Sequence, residues 1–388
     1  MIQVSDPILI EGITRYVQYK VTGDLLKETI YRRFSDFYSL REKLVERWPG
    51  IYIPNLPPKV TVGNLEKKVI ETRTRVINDF CHKTSKFKFI LDSEELQIFL
   101  IKSIDVSKVI NNLPKLNYDE ILFRYNKAFP DVKAGNDIEL EKYLKSINNA
   151  IPYIKKVLLN LKGFEESILA TMTQKENEIN YYCNLMNVFE DYEKYTLMEY
   201  VNNDENKLVF YNPKNSETYQ KIMDIKDKFI NPFKNLSSWI EDDILDFKAM
   251  LQALESIINL NAILEGLTLR LKAIEEEILK YQNNEYNYFT LLIKWKTAEG
   301  ILLELKNEEN NTKNTIRSIT SIITIACKIT LNNLEIFKVE KLQRYHKHIK
   351  RFAEVQKDNG DIINDLWSYI SNDPKLNDKD KDVVSQVK

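Results

Sequence analysis

The stretch Tyr31-Arg32-Arg33-Phe34-Ser35-Asp36-Phe37 decides how the first third of this chain is read. It closes a β-rich run that opens at Glu28 and leads into a segment with helical spacing, so it joins a strand to the start of a helix. Ser35 is the expected N-cap, and the helix should run to Arg47. Free N–H groups and the helix dipole favour an anion at such a terminus. Arg33 offers a planar fork of donors to a phosphate, and Phe34 offers a flat face to a sugar or inositol ring.

Outward from this junction, Ile8-Leu9-Ile10 and Tyr16 to Val21 read as two further strands, broken at Glu11-Gly12 and Gly23-Asp24. Downstream, Leu56-Pro57-Pro58-Lys59 is a rigid turn that ends in a cation. Arg73 falls in a second expected helix, Lys67 to Thr84, and Ser93 to Leu100 reads as a closing helix. The first hundred residues are therefore a small α+β domain. Three separated cations and one aromatic are what a multiply phosphorylated ring requires. A lone surface Arg on a helix is usually just solvated, so the force lies in the set and its order.

That ordered set, Arg-Arg-Phe-Ser-Asp-Phe at 32–37, Leu-Pro-Pro-Lys at 56–59 and Glu-Thr-Arg at 71–73, resembles a PX domain over about residues 2–103. The resemblance implies a three-stranded antiparallel sheet with helices, and binding of phosphatidylinositol 3-phosphate. It implies Arg33 on the 3-phosphate, Phe34 against the inositol ring, Lys59 at the 1-phosphate side and Arg73 on the 4- and 5-hydroxyls. Arg75 is a rival for the last role, because the spacing from Lys59 leaves one residue of ambiguity. The loop after Lys59 is similar to the family's membrane-inserting loop, with Val60, Val62 and Leu65 expected to be exposed.

From about Asp137 glycine nearly vanishes and apolar residues recur at alternating spacings of three and four: Leu140, Leu144, Ile147, Ile151, Ile154, Leu158, Leu161, Ile168, Met172. The spacing returns at Leu264, Leu267, Leu271, Ile274 and Ile278, and at Ile316, Ile319, Ile323 and Ala326. Such spacing marks long helices packed along a seam. Three are expected, roughly 137–200, 216–297 and 301–371, with a break from Asn202 to Asn215 and a turn at Gly300. Each is on the order of 100 Å long at 1.5 Å per residue. Pro152 and Pro232 fall inside or at the edge of them and should bend them. Helices of this length need neighbours, and an antiparallel three-helix array with a partner chain supplies them.

The run from Phe337 to His348, with Phe352, Gln356 and Leu366-Trp367, resembles the last BAR helix of sorting nexins, and the whole arrangement resembles a PX-BAR sorting nexin. On that resemblance residues 1–104 are a PX domain, 105–135 a linker, 136–372 an all-α three-helix BAR dimerisation domain and 373–388 a disordered tail. It implies a homodimer, or a heterodimer with another BAR-containing sorting nexin, that binds, senses or tubulates endosomal membrane for protein sorting. Partners of retromer type, or cargo, would follow. The alternative is a PX-bearing endosomal adaptor whose helical rod docks proteins without remodelling membrane.

Lys338, Lys341, Arg344, Lys347, Lys350 and Arg351 recur about every three residues with only Glu340 opposing them nearby, a local charge of about +5. They read either as a solvated face or as a membrane-facing strip, each cation contributing about 1 kcal/mol near anionic lipid. Lys294, Lys296 and Lys306 flank the expected tip at Gly300 and join the second reading. Between the two halves, Ile121, Leu122, Tyr125 and Phe129 share one face of a helix. This is either a connector packed at the domain junction or an amphipathic wedge for the lipid headgroup layer.

Bulk composition narrows the rest. The 56 Lys and Arg nearly cancel the 57 Asp and Glu, so no whole-protein attraction to nucleic acid exists and no nucleic-acid partner is expected. Three scattered cysteines fit reduced thiols in a cytosolic compartment. No signal peptide is visible at the N-terminus, and the most apolar late stretch, Ile316 to Leu331, is interrupted by Arg317 and Lys328. The expectation is a cytoplasmic protein peripheral to early endosome membrane. His82, His346 and His348 make no metal pair, and no Gly-rich phosphate loop or nucleophile elbow appears, so neither catalysis nor a cofactor is expected.

Overall fold

The computed structural model describes residues 2–373 and 376, apart from 12–14, 27, 60–62, 64, 103–104, 134–136, 212–220, 222–223, 226, 284 and 286–296. It divides into two compact units. One takes residues up to Leu159 together with Ile244–Val339, and the other takes Asn160–Asp243 with Glu340 onward.

In the first unit, β1 (Ile2–Ile10), β2 (Tyr16–Gly23) and β3 (Ile30–Arg33) form an antiparallel sheet in that order. A register shift between Ser5 and Ile8 falls at Asp6, which has φ +43°, and Pro7. Alternation along β3 sends Ile30 and Arg32 inward and Tyr31 and Arg33 outward. The two adjacent arginines therefore do different work. Arg32 is buried, and its Nε donates to the Phe99 carbonyl at 2.9 Å.

Helices α1 (Phe34–Arg47) and α2 (Lys67–Thr84) pack on this sheet around Tyr19, Phe37, Leu40, Leu44, Ile77 and Phe80. The N-cap of α1 is Arg33 rather than Ser35, because Asp36 at the third helical position accepts from the Arg33 N–H at 2.8 Å, and the helix starts two residues earlier, at Phe34. Two short helices follow, α3 (Lys88–Leu91) and α4 (Glu94–Phe99), the latter capped by Ser93. Then come α5 (Val106–Asn111) and α6 (Tyr118–Ala128), with Asn117 and Glu120 forming a capping box on α6.

The long helices are α7 (Asp137–Tyr192), α8 (Phe233–Gln282) and α9 (Ala298–Ser371), of 56, 50 and 74 residues. They span about 84, 75 and 111 Å along their paths. A π-helical turn, Glu193–Leu197, follows α7 directly. Two expectations change here. Pro232 precedes α8, where its missing N–H costs nothing, and Pro152 alone lies inside a helix. Gly300 is not a turn but sits in the first turn of α9, its N–H donating to Thr297 Oγ1 at 3.1 Å. The predicted seam positions of α7, Leu140 through Met172, are buried or half-buried throughout.

Within the first unit the small domain rests on α8 and α9. Tyr52 and Lys83 both bond Asp246 on α8, at 3.1 and 2.6 Å, and Arg41 Nη2 donates to Gln252 at 2.6 Å. Burial disfavours the Lys83 ammonium, but Asp246 and Asp79 outweigh it and hold its pKa above the ordinary lysine value. Gly50, at φ +86°, fits against Ile257 of α8 and Ala326 of α9, and Thr330 donates to its carbonyl. Ile322 to Cys327 on α9 are consecutively buried, so the middle of the apolar stretch Ile316 to Leu331 is buried all round, while Arg317 near its start is exposed.

Helix α6 packs inward through Ile121 and Tyr125, and Phe129 just beyond it lies 5.3 Å from the Phe89 ring and 6.2 Å from Trp48. That supports the connector reading and removes Phe129 from any lipid-facing wedge.

In the second unit Met186, Val209, Ile225, Leu366 and Ile370 make a core. The carboxylate of buried Glu193 accepts the backbone N–H groups of Val209, Phe210 and Tyr211 at 3.1, 2.7 and 2.7 Å. Trp239 stacks on His348 at 5.4 Å, and Asn359 brackets Ile230 with two hydrogen bonds.

Candidate functional site

The strand-to-helix junction sets the site. Arg33 ends β3 on its outward side, two register positions from Tyr16 on β2, since Gln18 is its direct partner. Its guanidinium carbon lies 3.5 Å from the Tyr16 ring centroid. Phe34 follows on α1, with the Arg73 guanidinium from α2 4.3 Å over its ring. Tyr38, one helical turn on, is 6.1 Å from Phe34 and carries the Lys59 ammonium 4.1 Å from its own ring. Three cations thus sit each on an aromatic ring as cation–π contacts, and two of those rings, Phe34 and Tyr38, are neighbours.

Among the described residues none of Arg33, Lys59 and Arg73 is paired with a carboxylate. Arg73 is nearly buried, and its Nε has no hydrogen-bond partner. Tyr19 lies beneath it; burial raises the phenol pKa and the neighbouring Arg73 charge works the other way. Concentrated positive charge with free donors, beside the N-terminus of α1, is chemistry for a multiply charged anion.

Of the four expected site residues, Phe34 and Arg73 are in contact and Lys59 lies on Tyr38 beside Phe34, whereas Arg33 adjoins Phe34 in the chain and rests its guanidinium on Tyr16. Arg73, not Arg75, stacks on Phe34; the two are about 200° apart around α2 and cannot share a face. Phe34 is only 8% exposed with one face under Arg73, which leaves a small surface for a sugar. Tyr16 and Tyr38 were missed. Tyr38 was within reach, being one helical turn from Phe34, whereas Tyr16 arrives only through sheet pairing.

Of the expected membrane loop, Val60 and Val62 lie outside the described residues, and Leu65 is half-buried rather than exposed. Lys294 and Lys296 also lie outside them, as do 374–375 and 377–388 of the expected tail.

The basic strip on α9 needs correction. Lys341 is bound to Asp243 of α8 at 2.7 Å, and Arg344 lies 3.7 Å from both Asp242 and Asp243. Lys338 pairs with Glu335 and Arg351 with Glu354, at 2.6 and 3.6 Å. The opposing acids stand on a neighbouring helix or one turn away, where counting local charge between Lys338 and Arg351 could not see them. Lys347 and Lys350 remain exposed.

Residues 20–103 match the PX domain family model, and this segment is a PX domain. Three long helices, α7, α8 and α9, follow it. The chain is similar to sorting nexin-8 of Homo sapiens, 31% identical over 99 residues, which are 26% of this chain and 21% of that protein. It is 33% identical to sorting nexin 1 of Arabidopsis thaliana over 109 residues, 26% of this chain and 27% of that one. These matches span about a quarter of the length of the relatives. Among solved structures, the cryo-EM structure of the SNX-BAR Mvp1 tetramer aligns over 95% of this chain and 99% of that one, with TM-score 0.47 and 16% identity. No described helix is long and apolar enough to cross a membrane, and no cluster of potential metal ligands occurs among the described residues.

Proposed function

We propose that the chain is a phosphoinositide-binding sorting nexin that works on the surface of endosomal membrane in protein trafficking, and that phosphatidylinositol 3-phosphate is its ligand. Arg33 takes the 3-phosphate, Lys59 the 1-phosphate side, Arg73 the 4- and 5-hydroxyls, and Phe34 lies against the ring. The observation that carries this reading is the set of three cations, held on aromatic rings and free of carboxylates among the described residues. PX domain membership of residues 20–103 supports it. On the same reading residues 1–104 form the PX domain and 136–372 the BAR domain.

The helices act as a dimerisation module. Tyr181, Leu185, Val188, Tyr192 and Tyr195 repeat at spacings of four and three on one side of α7 and its π turn, and all five are exposed. A seam of that kind calls for a partner helix, and a second copy or another BAR-containing sorting nexin provides one. Two headgroup pockets in one dimer then raise net membrane affinity by about 10² or more through effective concentration.

Flotation of the protein with vesicles containing each mono- and bisphosphorylated phosphoinositide in turn tests the pocket. Wild type should float with the 3-phosphate lipid. Arg33→Ala removes charge-assisted hydrogen bonds worth about 1.5–3 kcal/mol, a loss of roughly 10- to 150-fold. Equal flotation of that variant would refute the assignment.

A second reading, an adaptor that docks proteins without bending membrane, is favoured by the pairing of Lys341 and Arg344 with Asp242 and Asp243, which weakens the case for a lipid-facing strip. Giant vesicles separate the two: tubules at high coverage support remodelling, and bound but spherical vesicles support the adaptor.

A further inference from the structure

Away from the cationic rings, the end of α1, the α3–α4 turn and α6 enclose a groove of about 590 Å³, a size suited to a ligand side chain or a short peptide segment. Trp48 and Phe89 line it with Phe123 of α6. Phe123 is 71% exposed, whereas Ile121 and Tyr125 of α6 are buried. A Phe ring left in water forgoes the stabilisation that burial would supply. Trp48 is almost fully buried, yet its Nε1 has no hydrogen-bond acceptor.

The walls are rigid and internally neutral. Buried Glu95 accepts both Arg124 nitrogens at 2.9 and 3.0 Å and the Arg47 guanidinium at 3.0 Å, and Arg47 also holds Glu94 at 2.8 Å. Arg124 lies 4.8 Å over the Trp48 ring, so its charge is spoken for. The unpaired charges at the rim, among the described residues, are then Lys88 and Lys127 against Asp92. Phe123 and Lys127 are four apart on α6 and present one apolar and one cationic group on the same side.

We propose that this groove docks a short linear segment of another protein in which a bulky apolar side chain is flanked by carboxylates. The apolar side chain covers Phe123 and fills the space against Trp48 and Phe89. The carboxylates meet Lys88 and Lys127. Lipid is the weaker fit for this face, because Phe129, the second ring a wedge would need, packs inside. The site shares no residue with the cationic-ring site, so it stands or falls independently of the phosphoinositide reading.

Random dodecapeptides displayed on phage, panned against the full-length protein, test this. Enriched peptides are synthesised with a fluorophore and titrated by anisotropy against wild type, Phe123→Ser and the double variant Lys88→Glu with Lys127→Glu. Both changes are at exposed or rim positions, and thermal melts verify folding. The expected result is a consensus pairing acidic residues with Phe, Leu or Trp, whose affinity falls at least tenfold in each variant and by a similar factor when the peptide acids become amides. Absence of any peptide that depends on these residues overturns the proposal. So does a fall in binding to phosphatidylcholine–phosphatidylserine vesicles with Phe123→Ser and no such peptide, which gives the face to lipid. Loss of the native oligomer in sedimentation on Phe123→Ser also overturns it, giving the face to a second copy.

Discussion

Gly50→Ala is the sharpest test of how the PX domain is seated on the helices. Two effects add at this position. The backbone has φ +86°, which L-residues avoid, and holding a non-glycine residue in such a left-handed region costs about 1–2 kcal/mol. The new methyl would also stand 2.7 Å from Ile257 Cγ1 and 3.0 Å from Ala326 Cβ, both well inside contact distance. Neither neighbour gives way easily. Ile257 is fully buried on α8, and Ala326 has no rotamer to change, so overpacking adds about 1–3 kcal/mol. The sum is about 2–5 kcal/mol, drawn from the first unit, where the Thr330 bond to the Gly50 carbonyl would also be disturbed. Urea unfolding followed by hydrogen exchange over α8 and α9 reads it: exchange near Ile257 and Ala326 should rise with the fall in stability. A loss below about 0.5 kcal/mol, the range of neutral surface substitutions, would refute the close approach of this turn to both helices.

The other predictions rest on separate features. On the proposed dimerisation, wild type should sediment as a dimer at micromolar protein in analytical ultracentrifugation, and glutamate at Tyr181, Val188 and Tyr195 together should leave a monomer; an unchanged sedimentation coefficient would count against the exposed seam as the dimer contact. Glu193→Gln leaves the three N–H groups of Val209, Phe210 and Tyr211 a poorer acceptor and should speed their hydrogen exchange by at least tenfold, while exchange in the PX core stays as it was. Burial alone would raise the Glu95 carboxyl, but Arg124 and Arg47 more than reverse it and depress its pKa below 4.5. Its contribution is therefore present above the unfolded pKa and lost as pH falls through the lower folded value. The stability gap between wild type and Glu95→Gln should shrink on acidification below about pH 4.5; a gap that widens would contradict the sign.

Local pattern carried most of the fold because most of its elements are locally encoded. Ser93 at the start of α4 and the seam from Leu140 to Met172 are read within one or two turns. The failures share a cause in contacts between distant residues. Lys341 is neutralised by Asp243, almost a hundred positions away, so a local charge sum misreads it. Gly300 resembles a break, yet Thr297 caps it into a helix. The apolar run from Ile316 to Leu331 exceeds what a narrow seam needs, and Gly50 of the PX domain lies against it at Ala326 and Thr330. In the candidate site, Arg33, Phe34, Lys59 and Arg73 were legible as a motif, whereas Tyr16 could be found only by knowing that β2 lies beside β3.

The rings under Arg33, Lys59 and Arg73 have a kinetic and entropic meaning of their own. Long cationic side chains at a surface ordinarily sweep many rotamers, and an arriving anion must still them at about 0.5–1.5 kcal/mol each. Here Tyr16, Tyr38 and Phe34 already hold them in one arrangement, so capture starts from an assembled cage. Exchanging Tyr38 for leucine would therefore weaken anion capture although every positive charge stays in the chain.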